Sequence, residues 1–181
     1  MSFKIQSIDG QEIFVSQKAT VYEAVQEALA RGAFWRAKQT GLIPDLSNIN
    51  LNMLDLCDAN FNRVNLEGSV LEYAFCQNVS LVGANLRSTR WIEADLTGAN
   101  LSDADLTNAD LSGVDLSGAR LIKANLSGAR LVGADLTGAD LTGATLTGAD
   151  FSQTILAGAI FAGNKISAKN LLAALGINFQ D

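Results

Sequence analysis

The sequence predicts a solenoid of stacked five-residue repeats, and three observations support that prediction. Between residues 44 and 166 an apolar residue, usually Leu and once Cys, recurs at every fifth position without interruption. The residue two positions earlier is nearly always small or apolar, and Gly often lies two positions later. A period of five fits neither the 3.6-residue period of a helix nor the two-residue period of a strand. A short period held over this length is typical of stacked repeats.

The five positions of each repeat are called i−2 to i+2 here, with the large apolar residue at i. If positions i and i−2 both face inward, the chain must turn a corner between one repeat and the next. Gly at i+2 suits a type II turn because the third residue of that turn needs a positive φ. Where another residue replaces Gly we expect type I turns instead. This applies to Asp103, Asn108, Lys123 and Gln153.

Two shorter segments flank the repeat. In residues 1–43 the sequence predicts strands at Phe3–Ile8 and Glu12–Val15, joined by the hairpin turn signal Asp9-Gly10. A helix is expected to follow Thr20 and to end near Gly32, and residues 33–43 remain ambiguous. These elements make residues 1–43 an N-terminal hairpin-helix cap, residues 44–166 the repeat, and residues 167–181 a C-terminal helical cap.

The C-terminal cap carries apolar residues that allow two interpretations. They can seal the last coil of the solenoid, or they can pair two molecules end to end in a homodimer. The residues concerned are Leu172, Leu175, Ile177 and Phe179.

Composition limits the classes of function. The chain has 181 residues, 48% of them hydrophobic, and a net charge of −6, which argues against basic patches for nucleic acids or membranes. The N-terminus lacks the apolar run of a signal peptide, and no segment is apolar over the ~18 residues that a membrane span needs. Cys76 is expected to face inward and Cys57 outward, so both should stay reduced, as in a cytoplasmic protein.

The repeat unit resembles that of the pentapeptide-repeat family. The sequence runs Ala-Asn-Leu-Ser-Asp, Ala-Asp-Leu-Thr-Asn and Ala-Asp-Leu-Ser-Gly over residues 99–113, and the resemblance covers residues 44–166. It implies an all-β fold, a right-handed quadrilateral β-helix with four pentapeptides per coil, so that residues 20 apart stack. The N-terminal hairpin and helix look like the cap of some members. One face supports this stacking independently, because its charges alternate in sign at intervals of 20: Arg90, Asp110, Arg130 and Asp150.

Enzymatic chemistry is not expected. The chain contains no His, which removes the usual general base and the commonest metal ligand. No phosphate-binding loop of the GxxxxGK[ST] type is present. We therefore predict no catalytic, cofactor-binding or metal-binding residues.

Two surfaces are candidates for binding. The first, called the acidic face, comprises Asp55, Asp95, Asp115 and Asp135. The second, called the apolar patch, comprises Val70, Tyr73, Phe75 and Ile92. Exposed apolar clusters often mark partner sites, but residues 33–43, with Phe34 and Trp35, could instead fold over this one.

These surfaces lead to two predictions of function. The first is a non-enzymatic scaffold that binds another protein through its outer faces. The alternative follows from the resemblance, because the family includes DNA-mimicking topoisomerase inhibitors linked to quinolone resistance. In that case the acidic face would replace the phosphates of DNA. Neither prediction involves a cofactor, a membrane or direct contact with nucleic acid.

Overall fold

The computed structural model describes residues 3–7, 11–16, 21–30 and 44–164. Strands β1 (Phe3–Ser7) and β2 (Glu12–Ser16) pair antiparallel, and β1 also pairs antiparallel with the short strand β3 (Pro44–Asp45). Helix α1 (Val21–Ala30) follows β2. The predicted hairpin and helix are therefore present, whereas their predicted capping residues Thr20 and Gly32 lie outside the described residues. The same holds for residues 165–181.

The repeat is a stack of coils that advance by 20 residues. Parallel bridges join each described residue at i−1 to the residue 20 positions later, from Asp45–Asn65 to Asp140–Ile160. The bridges thus form ladders along the solenoid. One ladder runs through Arg90, Asp110, Arg130 and Asp150, as the alternation of charges predicted.

Hydrogen bonds between backbone groups explain why the coils stack. The N–H of Leu46 donates to the carbonyl of Asn65 in the next coil (2.7 Å), and the N–H of Asn48 donates to that of Glu67 (2.8 Å). In the opposite direction, the N–H of Asn65 donates to the carbonyl of Pro44 (2.8 Å). The pattern recurs along the repeat, so three of the five N–H groups of a typical repeat bind an adjacent coil.

The corners correct one prediction. Position i+2 has a positive φ at twelve glycines and at twelve other residues. Lys123 has a φ of 58° and Gln153 one of 59°, and Asp103 and Asn108 behave alike. The predicted type I turns are therefore wrong, because a type I turn needs a negative φ at its third residue. The reason is that the i+2 N–H must reach the next coil whatever its side chain, as in Lys123 donating to the carbonyl of Thr142 (2.9 Å).

The core is a column of central residues flanked by small residues at i−2. Leu96 to Leu141 at position i are at most 1% exposed. Trp91 replaces Leu in this column and is also 1% exposed. Its indole N–H donates to the hydroxyl of Thr89 (2.9 Å), which donates in turn to the carbonyl of Leu86 (2.6 Å). Thr89 occupies an i−2 position where Ala is usual, so the two substitutions compensate each other.

Candidate protein-binding surface

Asp and Asn at position i−1 complete the hydrogen bonding of the corner. Four N–H groups of a typical repeat bind backbone carbonyls, and the N–H at i+1 does not. The carboxylate or amide oxygen at i−1 accepts from it, as in Asp115 to Ser117 (2.8 Å) and Asn100 to Ser102 (3.2 Å). From the sequence, these side chains were predicted only as an outward charged surface. The spacing Asp/Asn-x-Ser/Thr was the available signal, because such side chains commonly bind the N–H two residues on.

Two repeats without Asp or Asn at i−1 obtain this acceptor from the coil below. The N–H of Glu72 donates to Oδ1 of Asn52 (2.9 Å), and the N–H of Val82 donates to Oδ1 of Asn62 (2.8 Å). The i−1 residues of those repeats are Val70 and Ser80. The apolar Val70 is therefore tolerated without loss of a buried hydrogen bond.

The predicted acidic face lies on one ladder, but Phe75 interrupts it. The bridges run Asp55, Phe75, Asp95, Asp115, Asp135 and Ile155. The structure thus brings Asp95, Asp115 and Asp135 together and separates Asp55 from them. Each of the four carboxylates accepts the N–H two residues on, at distances from 2.8 to 3.1 Å.

These hydrogen bonds lower the pKa of two carboxylates on this face, those of Asp55 and Asp135. The hydroxyl and the N–H of Thr137 hold the pKa of Asp135 below its usual range. The N–H of Cys57, followed by its thiol, lowers the pKa of Asp55 in the same way. Hydrogen bonds donated to a carboxylate favour its charged form, so Asp55 and Asp135 are charged at neutral pH.

The predicted apolar patch is exposed at its centre. Tyr73 is 49% and Phe75 53% exposed, whereas Val70 and Ile92 are half-buried. Met53 is 68% exposed and lies 20 residues before Tyr73, at the same corner position. Met53 was not among the residues predicted for the patch, although the 20-residue stacking places it beside them. The interpretation in which residues 33–43 cover the patch lies outside the described residues.

An ion pair borders the patch, and the charged ladder follows the predicted alternation only in part. Arg130 approaches Asp110 on the same ladder (3.5 Å). Arg90 instead contacts Glu72 (2.6 Å), which borders the patch. Exposed pairs of this kind contribute on the order of 0.2–1 kcal/mol each, so they orient side chains more than they stabilise the fold.

The cysteines lie as predicted. Cys57 is exposed and Cys76 is buried, and both thiols are free. The Cys57 thiol donates to Oε1 of Gln77 in the next coil (2.6 Å). Burial raises the pKa of the Cys76 thiol far above its usual range, which makes it unreactive.

The described residues contain neither a cluster of metal ligands nor a helix that could cross a membrane. Within residues 3–7, 11–16, 21–30 and 44–164 no three His, Cys, Asp or Glu side chains are grouped so that they could hold a metal ion. In the same residues, no helix has both the length and the apolar character to span a bilayer.

Comparison with known proteins identifies the repeat. A family model described as pentapeptide repeats matches in eight copies, over residues 45–72, 80–118, 99–138 and 134–163. The chain belongs to the pentapeptide repeat family. No copy of the model includes residues 73–79, the segment of this pentapeptide repeat protein that contains Tyr73 and Phe75.

Solved structures similar to this pentapeptide repeat protein include alr5209 from Nostoc Pcc 7120, with 34% identity, 59% of this chain and 84% of that chain covered, and a TM-score of 0.49. Rfr23 from the cyanobacterium Cyanothece 51142 has 29% identity and a TM-score of 0.41, and the match covers 76% of this chain and 98% of that chain. The plasmid-mediated fluoroquinolone resistance protein QnrB1 has 14% identity and a TM-score of 0.29, and the match covers 76% of this chain and 92% of that chain. No curated protein matches the chain.

Proposed function

We propose that this pentapeptide repeat protein is a non-enzymatic scaffold that binds another protein through the apolar patch, extended by Met53. The observation that carries the proposal is the placement of Tyr73. Its φ is 57°, at a corner position where half of the repeats have Gly, and about half of its side chain is exposed. A bulky residue with a positive φ is an uncommon feature.

The energetics of this corner favour a role in binding. The left-handed conformation costs roughly 1–2 kcal/mol for a residue with a side chain, and Gly avoids that cost. Met53, one coil below, has the same conformation, with a φ of 58°. Retaining two large apolar side chains at unfavourable positions is expected where they contact a partner. The family model also leaves residues 73–79 unmatched although the coil continues through them, which supports the same conclusion.

A variant that restores the repeat pattern tests the proposal. Tyr73→Gly removes the ring and relieves the backbone, and Phe75→Asn supplies an acceptor for the N–H of Gln77. The double variant should therefore be at least as stable as the wild type while losing its partner. Affinity purification from the native host, with quantitative mass spectrometry, should show a specific protein retained by the wild type and depleted with the variant.

A matched control changes the same two positions elsewhere. Lys123→Gly with Arg120→Asn alters one corner and one i−1 residue far from the patch, and should retain the partner. Identical sets of captured proteins for the wild type and for Tyr73→Gly with Phe75→Asn would refute the scaffold proposal at this patch. Melting temperatures of both variants would show whether folding was affected.

The flanking segments complete this proposal. A right-handed, four-sided column exposes unpaired backbone groups at both ends, and such edges invite association. We infer that residues 1–43 cap the first coil, because β1 pairs with β3 and Val25 and Ala28 of α1 are fully buried within the core. Residues 167–181 are proposed to cap the other end or to join two molecules there. Free thiols at Cys57 and Cys76 suit a cytoplasmic protein.

One observation favours the alternative, a DNA-mimicking inhibitor or protector of a type II topoisomerase. Asp95, Asp115 and Asp135 follow one another on a single ladder. Residues 44–163 contain fourteen acidic and six basic residues, a net charge of −8. Over six coils of ~4.8 Å each this is about 0.3 charge per Å, against about 0.6 for duplex DNA, so the mimicry would be partial.

A supercoiling assay tests this alternative. Purified protein at micromolar concentration should inhibit DNA gyrase, and Asp115→Lys with Asp135→Lys should abolish the inhibition. Absence of inhibition by the wild type would remove the alternative and leave the scaffold proposal unaffected.

A further inference from the structure

The apolar patch and the carboxylates form one continuous surface. Phe75 occupies the rung directly before Asp95, and Asp115 and Asp135 occupy the next two. These three aspartates are called the acidic run here. An exposed aromatic ring thus begins a line of three negative charges along the axis of the solenoid.

No ion pair reaches the acidic run within the part of the chain that the structure describes, although the side-chain amide of Gln77 donates to Asp95. The ion pairs found there join Arg87 to Asp105, Arg90 to Glu72, and Arg130 to Asp110, and none reaches the acidic run. Adjacent rungs lie ~4.8 Å apart, and like charges facing each other on neighbouring strands are destabilising. A positively charged partner would relieve this repulsion.

The carboxylates are also held in place before any partner arrives. One oxygen of each accepts a corner N–H, from Thr97 (3.0 Å), Ser117 (2.8 Å) and Thr137 (2.8 Å). The side chains are therefore already ordered, and binding would require little further loss of conformational entropy.

We propose that the partner presents a basic amphipathic helix, with an apolar residue against Tyr73 and Phe75 and Lys or Arg side chains along the acidic run. This inference rests on the proposed scaffold function and specifies the chemistry of its partner. The three steps from Phe75 to Asp135 span ~14 Å, and three turns of a helix span ~16 Å. Flexible Lys or Arg side chains can absorb the difference of ~2 Å.

An extended peptide fits this surface less well. Its side chains on one face recur every ~6.7 Å, so three steps span ~20 Å. The mismatch of ~6 Å would leave the last cation beyond Asp135. Spacing thus distinguishes a helix from a strand, whereas charge alone does not.

Three synthetic peptides of identical composition test the proposal against the full-length protein. The first is an Ala-rich peptide with one Leu and with Lys at the fourth, seventh and eleventh positions after it. The second has Lys at the second, fourth and sixth positions, and the third is scrambled. Fluorescence anisotropy in ~0.1 M salt should give the first peptide a Kd at least tenfold lower than the other two. Equal affinities for all three, or no binding of the first, would overturn the proposal.

Variants of the protein localise the binding. Asp115→Asn with Asp135→Asn keeps the corner hydrogen bonds and removes two charges. This double variant should raise the Kd for the first peptide at least fivefold. Asp140→Asn with Asp150→Asn is the matched control, because both residues bind corner N–H groups (2.9 Å each) on other ladders. Equal weakening by the two double variants would overturn the proposal, since only the net charge would then matter.

The two proposals can fail separately. If the peptides do not discriminate but Tyr73→Gly with Phe75→Asn still loses a partner from cells, the scaffold function holds and the helix is wrong. If that variant loses nothing while the peptide pattern holds, the surface binds basic helices but the cellular partner uses another face.

Discussion

Residues 46–93 and residues 94–163 build the same backbone from different sequences. In the first region Gly occupies two of ten corners, Gly68 and Gly83, and in the second it occupies ten of fourteen. The central column contains Phe61, Cys76 and Trp91 in the first region and is Leu without exception from Leu96 to Leu146. In both regions, parallel bridges join residues that are 20 positions apart.

The two regions share one backbone because the fold depends on only a few features of each repeat. Hydrogen bonds between coils impose a positive φ at i+2 whether the residue is Gly118 (66°) or Tyr73 (57°). The second region mostly has Gly at i+2, which adopts this conformation with little strain. The first region mostly has larger residues there, and the proposed binding surface lies among their side chains.

The largest expected effect concerns the central column. Leu116→Ala in the second region should lower the free energy of unfolding by about 3 kcal/mol, because a fully buried side chain is lost and a cavity remains. Cys76→Ala, two coils earlier on the same column, removes only a sulfur atom and should cost about 1 kcal/mol. Urea unfolding followed by circular dichroism measures both. Equal losses would contradict the expectation that the loss follows the buried volume removed.

The next effect concerns the pair of Thr89 and Trp91, which only the first region contains. Thr89→Val leaves the buried indole N–H without its acceptor and should cost about 2 kcal/mol. Thr154→Val, at the same position in a coil without Trp, removes a hydroxyl bound only to the carbonyl of Leu131 (2.9 Å) and should cost less. Adding Trp91→Phe should recover part of the first loss. If the stability losses of Thr89→Val and Trp91→Phe simply add in the double variant, the two side chains are not coupled.

A smaller effect separates backbone strain from crowding at the corners. A Cβ at Gly118 has no neighbour within 4 Å, whereas one at Gly98 would lie 2.7 Å from Oδ1 of Asn78. Gly118→Ala should therefore cost about 1 kcal/mol through strain alone, and Gly98→Ala more. Lys123→Gly should gain about 1 kcal/mol for the same reason. If Lys123→Gly destabilises the protein in urea unfolding, corner strain does not explain the difference between the regions.

The smallest effect is the response to acid. The folded pKa values of Asp135, Asp140 and Asp150 are lowered, chiefly by hydrogen bonds from the hydroxyl and N–H two residues on. Their contribution to stability is complete above the unfolded pKa of about 3.9 and is lost as pH falls through the lower folded pKa.

Asp135→Asn tests that response, because the amide keeps the corner acceptor and does not titrate. It should change stability little at pH 7 and reduce the loss of stability between pH 4 and pH 3. Urea unfolding at pH 7, 4 and 3 measures this, with Asp135→Ala as the variant that loses the acceptor. A steeper acid response in Asp135→Asn would contradict the assigned sign.

The period, the inward column and the position of every corner could be read from the amino-acid sequence alone. Local rules are sufficient for these features, because a large apolar residue at i and a small one at i−2 can both be buried only if both face the inside of the coil. The sequence also predicted the hairpin, the helix and the opposite orientations of Cys57 and Cys76. The acidic face and the apolar patch were predicted as neighbouring sets of residues.

What these sets of residues share, and how the corners turn, depend on contacts between coils. Phe75 lies within the acidic ladder, and Met53 lies one coil below Tyr73, because stacking brings together residues that are distant along the chain. The positive φ of Lys123 could not be predicted from its side chain, since its cause is an N–H bound to a carbonyl in the next coil. Contacts between coils thus override local turn preference, and they alone create the surface proposed to bind a partner.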